Sequence, residues 1–302
     1  MSGAMKGTVL LTGGSGFVGS AVLGGLLERG YRVIATTTDT ENRAVPSGSR
    51  FEWVAWDARL QALPPVPWSE IDVVLHLATP REPLSFPANA DSLFDVNVAA
   101  TYHLLEQVRA RGRGRVLLAS TADVLSPEAP PALEADVHYG PDSFYGASKA
   151  AAEILTRAYA QYVSTAILRL FHPYGPGGER FLVNRLLDRV IAGQEVFTEA
   201  GPGIELNPVW IDDLADGICL AIDSEATGIF NFAGPETVTM RRLLDICGEI
   251  SGRTPNVLSH DHRAVPRHVG LVKRSRDLLG YSPRVGVKEG LTKQLAFLRS
   301  GG

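Results

Sequence analysis

Cysteine is scarce: Cys219 and Cys247 are the two thiols in 302 residues. That excludes a small scaffold stapled by disulfides. Both lie in apolar helical patterns and read as buried thiols of a reducing compartment, so a cytoplasmic location is expected. Charge of one sign is lacking too. Lys plus Arg total 29 against 33 Asp plus Glu, a net charge of −4. There is no basic footprint for nucleic acid or an anionic membrane surface. No apolar run approaches the ~20 residues of a membrane-spanning helix, and no repeat or low-complexity tract is visible. Glycines break the N-terminal stretch "KGTVLLTGGSGFVG", which therefore does not read as a signal peptide, and Met5 offers an alternative start after "MSGA". What remains is ordinary globular material, 45% hydrophobic and 21% charged, long enough for one large α/β domain with a smaller lobe.

The first part of the chain alternates short apolar runs with longer helical ones. Strands are predicted at 8–12, 31–37, 51–56, 71–78, 115–120 and 165–171, with helices at 17–30, 91–111 and 145–162. The strand runs are apolar throughout, as strands covered on both faces must be. Alternation of this kind predicts an α/β fold with a doubly wound parallel sheet. After Phe171 the rhythm breaks at "HPYGPGGER"; "NPVWI" and "GIFNFAG" read as further strands, and 236–302 as helical and loop-rich. The expected division is a dinucleotide-binding Rossmann-type domain over 1–173, with 207–233 contributing to it. A smaller, interleaved C-terminal substrate-binding lobe covers 174–206 and 234–302.

Gly13, Gly16 and Gly19 fall between the first strand and first helix. A dinucleotide needs a turn with unusual φ, close backbone approach to its pyrophosphate, and tight helix–sheet packing. Glycine meets all three, and the helix N-terminus then faces the phosphates. At the end of the second strand, where an acidic residue holds the ribose 2′-hydroxyl of NAD, stand Thr37 and Thr38, with Asp39 just beyond. The missing acid removes a repulsion against a 2′-phosphate, and Arg43 is in range of one. The coenzyme expected is NAD(P), with NADP favoured.

Tyr145 and Lys149 are spaced i, i+4 at the start of an alanine-rich helix and share one face. A free tyrosine has a pKa of about 10. A neighbouring ammonium and an oxidised nicotinamide both favour the phenolate and make it a proton carrier near neutrality. Ser120 and Thr121 offer hydroxyls at the C-terminal end of a parallel strand, the edge where such sheets bind ligands.

With these motifs the sequence resembles the extended short-chain dehydrogenase/reductase family, the NAD-dependent epimerase/dehydratases. "TGGSGFVGS", Asp57 after the third strand, "HLAT", "NVAAT", "LLAST", "YGASK", "LRLFHPYGPG", "VWIDDLADGI" and "LLGYSP" carry the resemblance over nearly the whole chain. It implies that Thr121 binds the substrate oxygen, Tyr145 is the acid/base, and Lys149 holds the ribose and tunes Tyr145. It further implies that Gly13, Gly16, Phe17 and Val18 line the pyrophosphate, that Asp57 with Ala58 meets the adenine, and that Leu77, Ala78, Thr79 and Ser120 complete the coenzyme site. Asn97 is structural in that family. Substrate contacts fall on Thr79, Arg81, Thr121, Ala122 and His172, the last where relatives often carry asparagine, near the coenzyme as well. Relatives commonly form homodimers through the helices at 91–111 and 145–162.

Two departures narrow the chemistry. Sugar-nucleotide 4,6-dehydratases of the family place Asp-Glu after the threonine, whereas Thr121 is followed by Ala122 and Asp123, which argues against that dehydration. Many nucleotide-sugar members grip the diphosphate with an arginine where this chain has Leu206; Arg180, Arg263 and Arg267 are the candidate replacements, and a different, less charged substrate is equally compatible with the change. "HDHRAVPRH", with His260, His262 and His268, reads as a solvated basic loop and not a metal site. Asp212 and Asp213 read as a helix cap. The first expectation is thus a nucleotide-sugar epimerase. An NADPH-dependent ketoreductase or dehydrogenase of a keto-sugar or other small alcohol comes second. A non-catalytic dinucleotide sensor comes last, because Tyr145 and Lys149 are both present.

Overall fold

The computed structural model describes residues 5–40, 50–80, 85–126, 134, 139–199, 201–260 and 267–301. The chain opens with β1 (Thr8–Thr12), α1 (Phe17–Glu28), β2 (Arg32–Thr37), β3 (Phe51–Ala55) and β4 (Val73–His76). There follow α2 (Ala90–Phe94), α3 (Ala100–Arg111), β5 (Arg115–Thr121), α4 (Phe144–Tyr159) and β6 (Ser164–Leu170). Next come α5 (Leu182–Ile191), β7 (Glu195–Glu199), β8 (Glu205–Leu206), α6 (Ile211–Asp223) and β9 (Gly228–Phe232). The chain closes with β10 (Val238–Thr239), α7 (Met240–Ser251), β11 (Asn256–His260), β12 (Arg267–His268), α8 (Lys273–Leu279) and α9 (Val287–Arg299).

Seven strands form the central sheet in the order β3-β2-β1-β4-β5-β6-β9, and each pairing from β3 through β5 is parallel. Strand order reverses direction at β1 and β4. This is the Rossmann-type doubly wound arrangement, whose ligand crevice opens outside the carboxyl ends of the strands at the reversal. All five residues of β1 are buried, which is why its sequence shows no polar alternation. Leu10, Ile34, Val74, Leu104, Leu105 and Val116 belong to the core joining sheet and helices, each stabilising the fold by about 1.5–3 kcal/mol through removal from water.

Two compact units emerge. The first comprises residues 1–124, 141–168 and 218–230, and the second 125–140, 169–217 and 231–302. This differs from the division expected from sequence at 125–140, 169–173, 207–217 and 231–233. The second unit holds the first of these segments through Glu134, whose carboxylate accepts from Ser275 N at 3.0 Å, and through the Tyr139 ring beneath the Arg169 guanidinium. Asn207 exchanges two hydrogen bonds with the Gly270 backbone. Within this unit β10, β8 and β12 form one small sheet, and β11 pairs with β7 in another. The expected strand at "NPVWI" is instead irregular, touching Tyr174 through one bridge at Trp210; the strand proper is β8, just upstream. The 236–302 segment also carries β10, β11 and β12 besides its helices; β10 and β12, of two residues each, are too short to show a period. Asp213 does more than sit in the first turn of α6: its carboxylate accepts from the backbone N–H groups of Arg284 and Val285, both at 2.8 Å. Cys219 and Cys247 are both buried thiols. Among the described residues no helix is long and apolar enough to cross a membrane.

Candidate functional site

The glycine turn is built by exclusion. Gly13 has φ +70°, and a Cβ there would lie 2.8 Å from Ala78 N and 2.9 Å from Ala78 Cα. A Cβ on Gly19 would collide with the Gly13 carbonyl oxygen. The turn therefore lies against the end of β4, where Leu77 N donates to Thr12 O at 3.2 Å and Ala78 N to Thr12 Oγ1 at 3.3 Å. Gly16 caps α1 with no side-chain hydrogen bond, and the first turn, beginning at Phe17 and Val18, carries no acidic residue. The N-terminal turn and positive dipole end of a 12-residue helix suit a pyrophosphate. These features fit a dinucleotide coenzyme.

Around this turn stand the other candidate coenzyme residues. Thr37 Oγ1 donates to the Asp39 carbonyl at 3.0 Å, and Thr38 and Asp39 are exposed. Asp57 opens the short turn at Ala58 and is held by Arg59 (Nη2 to Oδ2, 2.6 Å). Those hydrogen bonds lower the Asp57 pKa against the opposing effect of burial. Thr79 is exposed just beyond β4.

At the carboxyl end of β5, Thr121 Oγ1 donates to Asp123 Oδ2 at 3.1 Å, and buried Ala122 starts a short 3-10 turn. Ser143 caps α4 by accepting from Gly146 N, which fixes the first turn on which Tyr145 sits. Burial is the largest influence on the Tyr145 phenol and raises its pKa; the Asp123 charge adds to this, and a hydrogen bond with Thr121 opposes it. The group lowering the phenol in the free protein is therefore Thr121. Lys149 Nζ donates to Ala119 O at 3.1 Å. Its burial brings the ammonium down to about 8, while the Glu153 charge acts upward.

Three supporting groups were not singled out from sequence. His76 closes β4 with Nδ1 2.7 Å from Thr12 Oγ1; burial and the Lys149 charge bring it down to about 3. Glu153, wholly buried, accepts from Ser120 Oγ at 2.5 Å. Its spacing of eight from Tyr145 and four from Lys149, all on one face of α4, was the signal available. Ser148 accepts from Asn97 Nδ2 at 2.9 Å and donates to Tyr145 O at 2.8 Å. Asn97 sits in a π-helical turn, Asp95–Ala99, that interrupts the helix expected over 91–111. Such insertions rotate one residue out of register, often beside functional sites.

The remaining candidates belong to the second unit or fall outside description. His172, at φ +46°, stacks on His268 with centroids 5.3 Å apart; burial and His268 bring it down to about 3. Leu206 is a core residue, paired in β8 with Val238 and His268. Beside it Arg267 is bound to Glu205 at 2.8 Å, so its charge is already partnered. Arg180 is exposed. Arg43, Arg81, His262 and Arg263 lie outside the described residues.

Comparison with known proteins adds the following. A model of the NAD dependent epimerase/dehydratase family matches residues 9–233. UDP-glucuronic acid decarboxylase 2 of Arabidopsis thaliana is 29% identical over 94% of this chain, which spans 66% of that protein's length. A putative UDP-glucose 4-epimerase of Methanocaldococcus jannaschii is 26% identical, covering 97% of this chain and 98% of the relative. Among solved structures, MoeE5 in complex with UDP-glucuronic acid and NAD superposes with a TM-score of 0.83 at 26% identity, over 98% of this chain and 100% of that one. The complex of Thermus thermophilus UDP-glucose 4-epimerase with NAD does so with 0.80 at 28%, again over 98% and 100%.

Proposed function

We propose a function from one settled premise: the chain belongs to the NAD dependent epimerase/dehydratase family. On that premise it is an NAD(P)-dependent epimerase of a nucleotide sugar, working through a ketone formed at the carbinol carbon. When bound, an oxidised nicotinamide accepts a hydride and brings a positive charge to the site. Tyr145 takes the hydroxyl proton as the hydride leaves and returns it when the ketone is reduced on its other face. Thr121 orients the substrate oxygen and steadies the phenolate, and Lys149 holds the ribose with its ammonium. The observation that supports this most directly is the hydrogen bond from Lys149 Nζ to Ala119 O at 3.1 Å, which sets the helix carrying Tyr145 and Lys149 against the strand that ends at Thr121. Proton transfer from a positioned group of this kind contributes about 10²–10⁴-fold in rate.

The end of β2 supports the 2′-phosphate coenzyme, since no carboxylate occupies positions 37 and 38, whereas the solved relatives cited above carry NAD. The C-terminal unit takes the nucleotide sugar, with His172, Arg180 and Arg267 as its candidate contacts. A homodimer is supported by exposed Tyr102 on α3 and Ile154 on α4, 43% and 52% accessible. Light scattering reads that state.

A second reading is favoured by the Arabidopsis relative: the same oxidation of a nucleotide-linked uronic acid followed by loss of carbon dioxide. The ketoreductase reading requires net consumption of reduced coenzyme. One experiment separates all three. The purified protein is denatured to identify any retained nucleotide, then supplied with UDP-glucose or UDP-glucuronic acid and trace coenzyme. An epimer at constant coenzyme is expected. A pentose with carbon dioxide would replace the proposal with the decarboxylase, and an empty site with stoichiometric NADPH oxidation, when a UDP-4-keto-sugar is offered with excess NADPH in a parallel sample, would replace it with the reductase.

A further inference from the structure

Glu153 is the buried charge that the mechanism above leaves unused. It lies on α4 two turns after Tyr145 and one after Lys149, with 0% of its surface accessible. Its Oε1 accepts from Ser120 Oγ at 2.5 Å, and Ser120 immediately precedes Thr121 on β5. A carboxylate so deep in the protein is several kcal/mol less stable than in water unless it is paired and hydrogen-bonded. A glutamine would satisfy the Ser120 hydroxyl equally well with no charge to desolvate, so the hydrogen bond alone does not account for an acid here.

We infer that Glu153 is a positioning residue for the reaction: its buried negative charge keeps the proton on Lys149, while its hydrogen bond to Ser120 anchors the end of β5 that presents Thr121. Among the described residues, the charged and titratable groups around Lys149 are few. From its own helix come Tyr145 and Glu153, and from β4 comes His76, neutral above pH 5 because burial and Lys149 bring it to about 3. Asp123, after β5, acts on Tyr145. Of these, Glu153 is the one whose charge favours the ammonium, against a burial that disfavours it, and the balance of the two leaves Lys149 at about 8. An ammonium lost at working pH would remove a donor from the ribose site and the positive charge beside the phenolate.

This role rests on the proposed function, but its test does not. The chain has five lysines, Lys6, Lys149, Lys273, Lys288 and Lys293, so side-chain NMR of protein labelled at lysine Cε resolves Lys149, identified by its loss in Lys149→Met. Its titration midpoint is read without substrate or turnover. In Glu153→Gln, which keeps the shape and the acceptor for Ser120, the midpoint should fall by about 1 unit; in Glu153→Asp, which keeps the charge, it should stay close to that of the native protein. An unmoved midpoint in a folded Glu153→Gln protein overturns the inference. Should that variant not fold, Glu153→Asp decides: a retained midpoint supports the role and a fall of the full size overturns it. The alkaline limb of turnover should move with the midpoint. A shifted midpoint in a protein inert towards every nucleotide sugar would sink the proposed function and leave Glu153's role standing.

Discussion

Substituting Gly13→Ala tests whether the turn after β1 is a coenzyme cradle built to atomic tolerance. The backbone there is left-handed, at φ +70°, which disfavours an L side chain by about 1–2 kcal/mol. The added methyl would also stand 2.8 Å from Ala78 N and 3.0 Å from Leu77 C. Those are backbone atoms held by Thr12, not the flexible tip of a side chain, so relief requires displacing the end of β4 from β1. Overpacking of this kind costs about 1–3 kcal/mol, and the two effects together give about 2–5 kcal/mol. Gly24→Ala on α1 is the control. It has nothing within 4 Å of the added methyl and lies in the helix interior, so it should stabilise by about 1 kcal/mol. Urea denaturation followed by far-ultraviolet circular dichroism reads both, and calorimetric titration with NAD and NADP reads the coenzyme. Gly13→Ala should lower the midpoint and weaken coenzyme at least about tenfold, a displacement cost of about 1.4 kcal/mol, whereas Gly24→Ala should raise the midpoint and leave affinity unchanged. Native coenzyme affinity in a folded Gly13→Ala protein would refute the reasoning.

Tyr145→Phe should reduce turnover by about 10²–10⁴-fold while changing the dissociation constant of the coenzyme little; parallel kinetics and titration check the split. His76 makes acid stability diagnostic. Its folded-state pKa is about 3 against an ordinary 6.5, so between those values the unfolded chain binds a proton that the folded chain refuses. Stability is therefore intact above pH 6.5 and declines as pH falls towards 3, by up to about 1.4 kcal/mol per unit from this group. Urea midpoints at pH 7 and pH 5 should differ by less in His76→Asn than in the native protein, by the equivalent of about 2 kcal/mol.

The sheet was legible in the sequence because its strands inside the β3 edge are largely buried on both faces, leaving unbroken apolar runs between helices. Boundaries shifted where local chemistry intervened: the helix expected over 91–111 is interrupted at Asp95–Ala99, a one-residue insertion that no periodicity shows. The C-terminal unit was far less legible. β8, β10 and β12 are two residues each, and their pairing is fixed by long-range contacts such as Asn207 with Gly270. The same limit applies at the site. Gly13, Tyr145 and Lys149 announce themselves through spacing, but His76 and Ser148 matter through hydrogen bonds to residues 64 and 51 positions away. Leu206 shows the converse: its mismatch with the family's arginine was visible in the chain, and its buried place in β8 explains why no charge stands there.

The most direct test of the central claim follows the hydride itself. The protein is incubated with UDP-glucose deuterated at C4 and trace NAD or NADP, and the products are read by NMR and mass spectrometry. Oxidation and return within one active site should yield the C4 epimer with deuterium retained at that carbon and no net change in coenzyme. Deuterium accumulating in the coenzyme pool without epimer, in a protein shown to bind both ligands, would contradict the account.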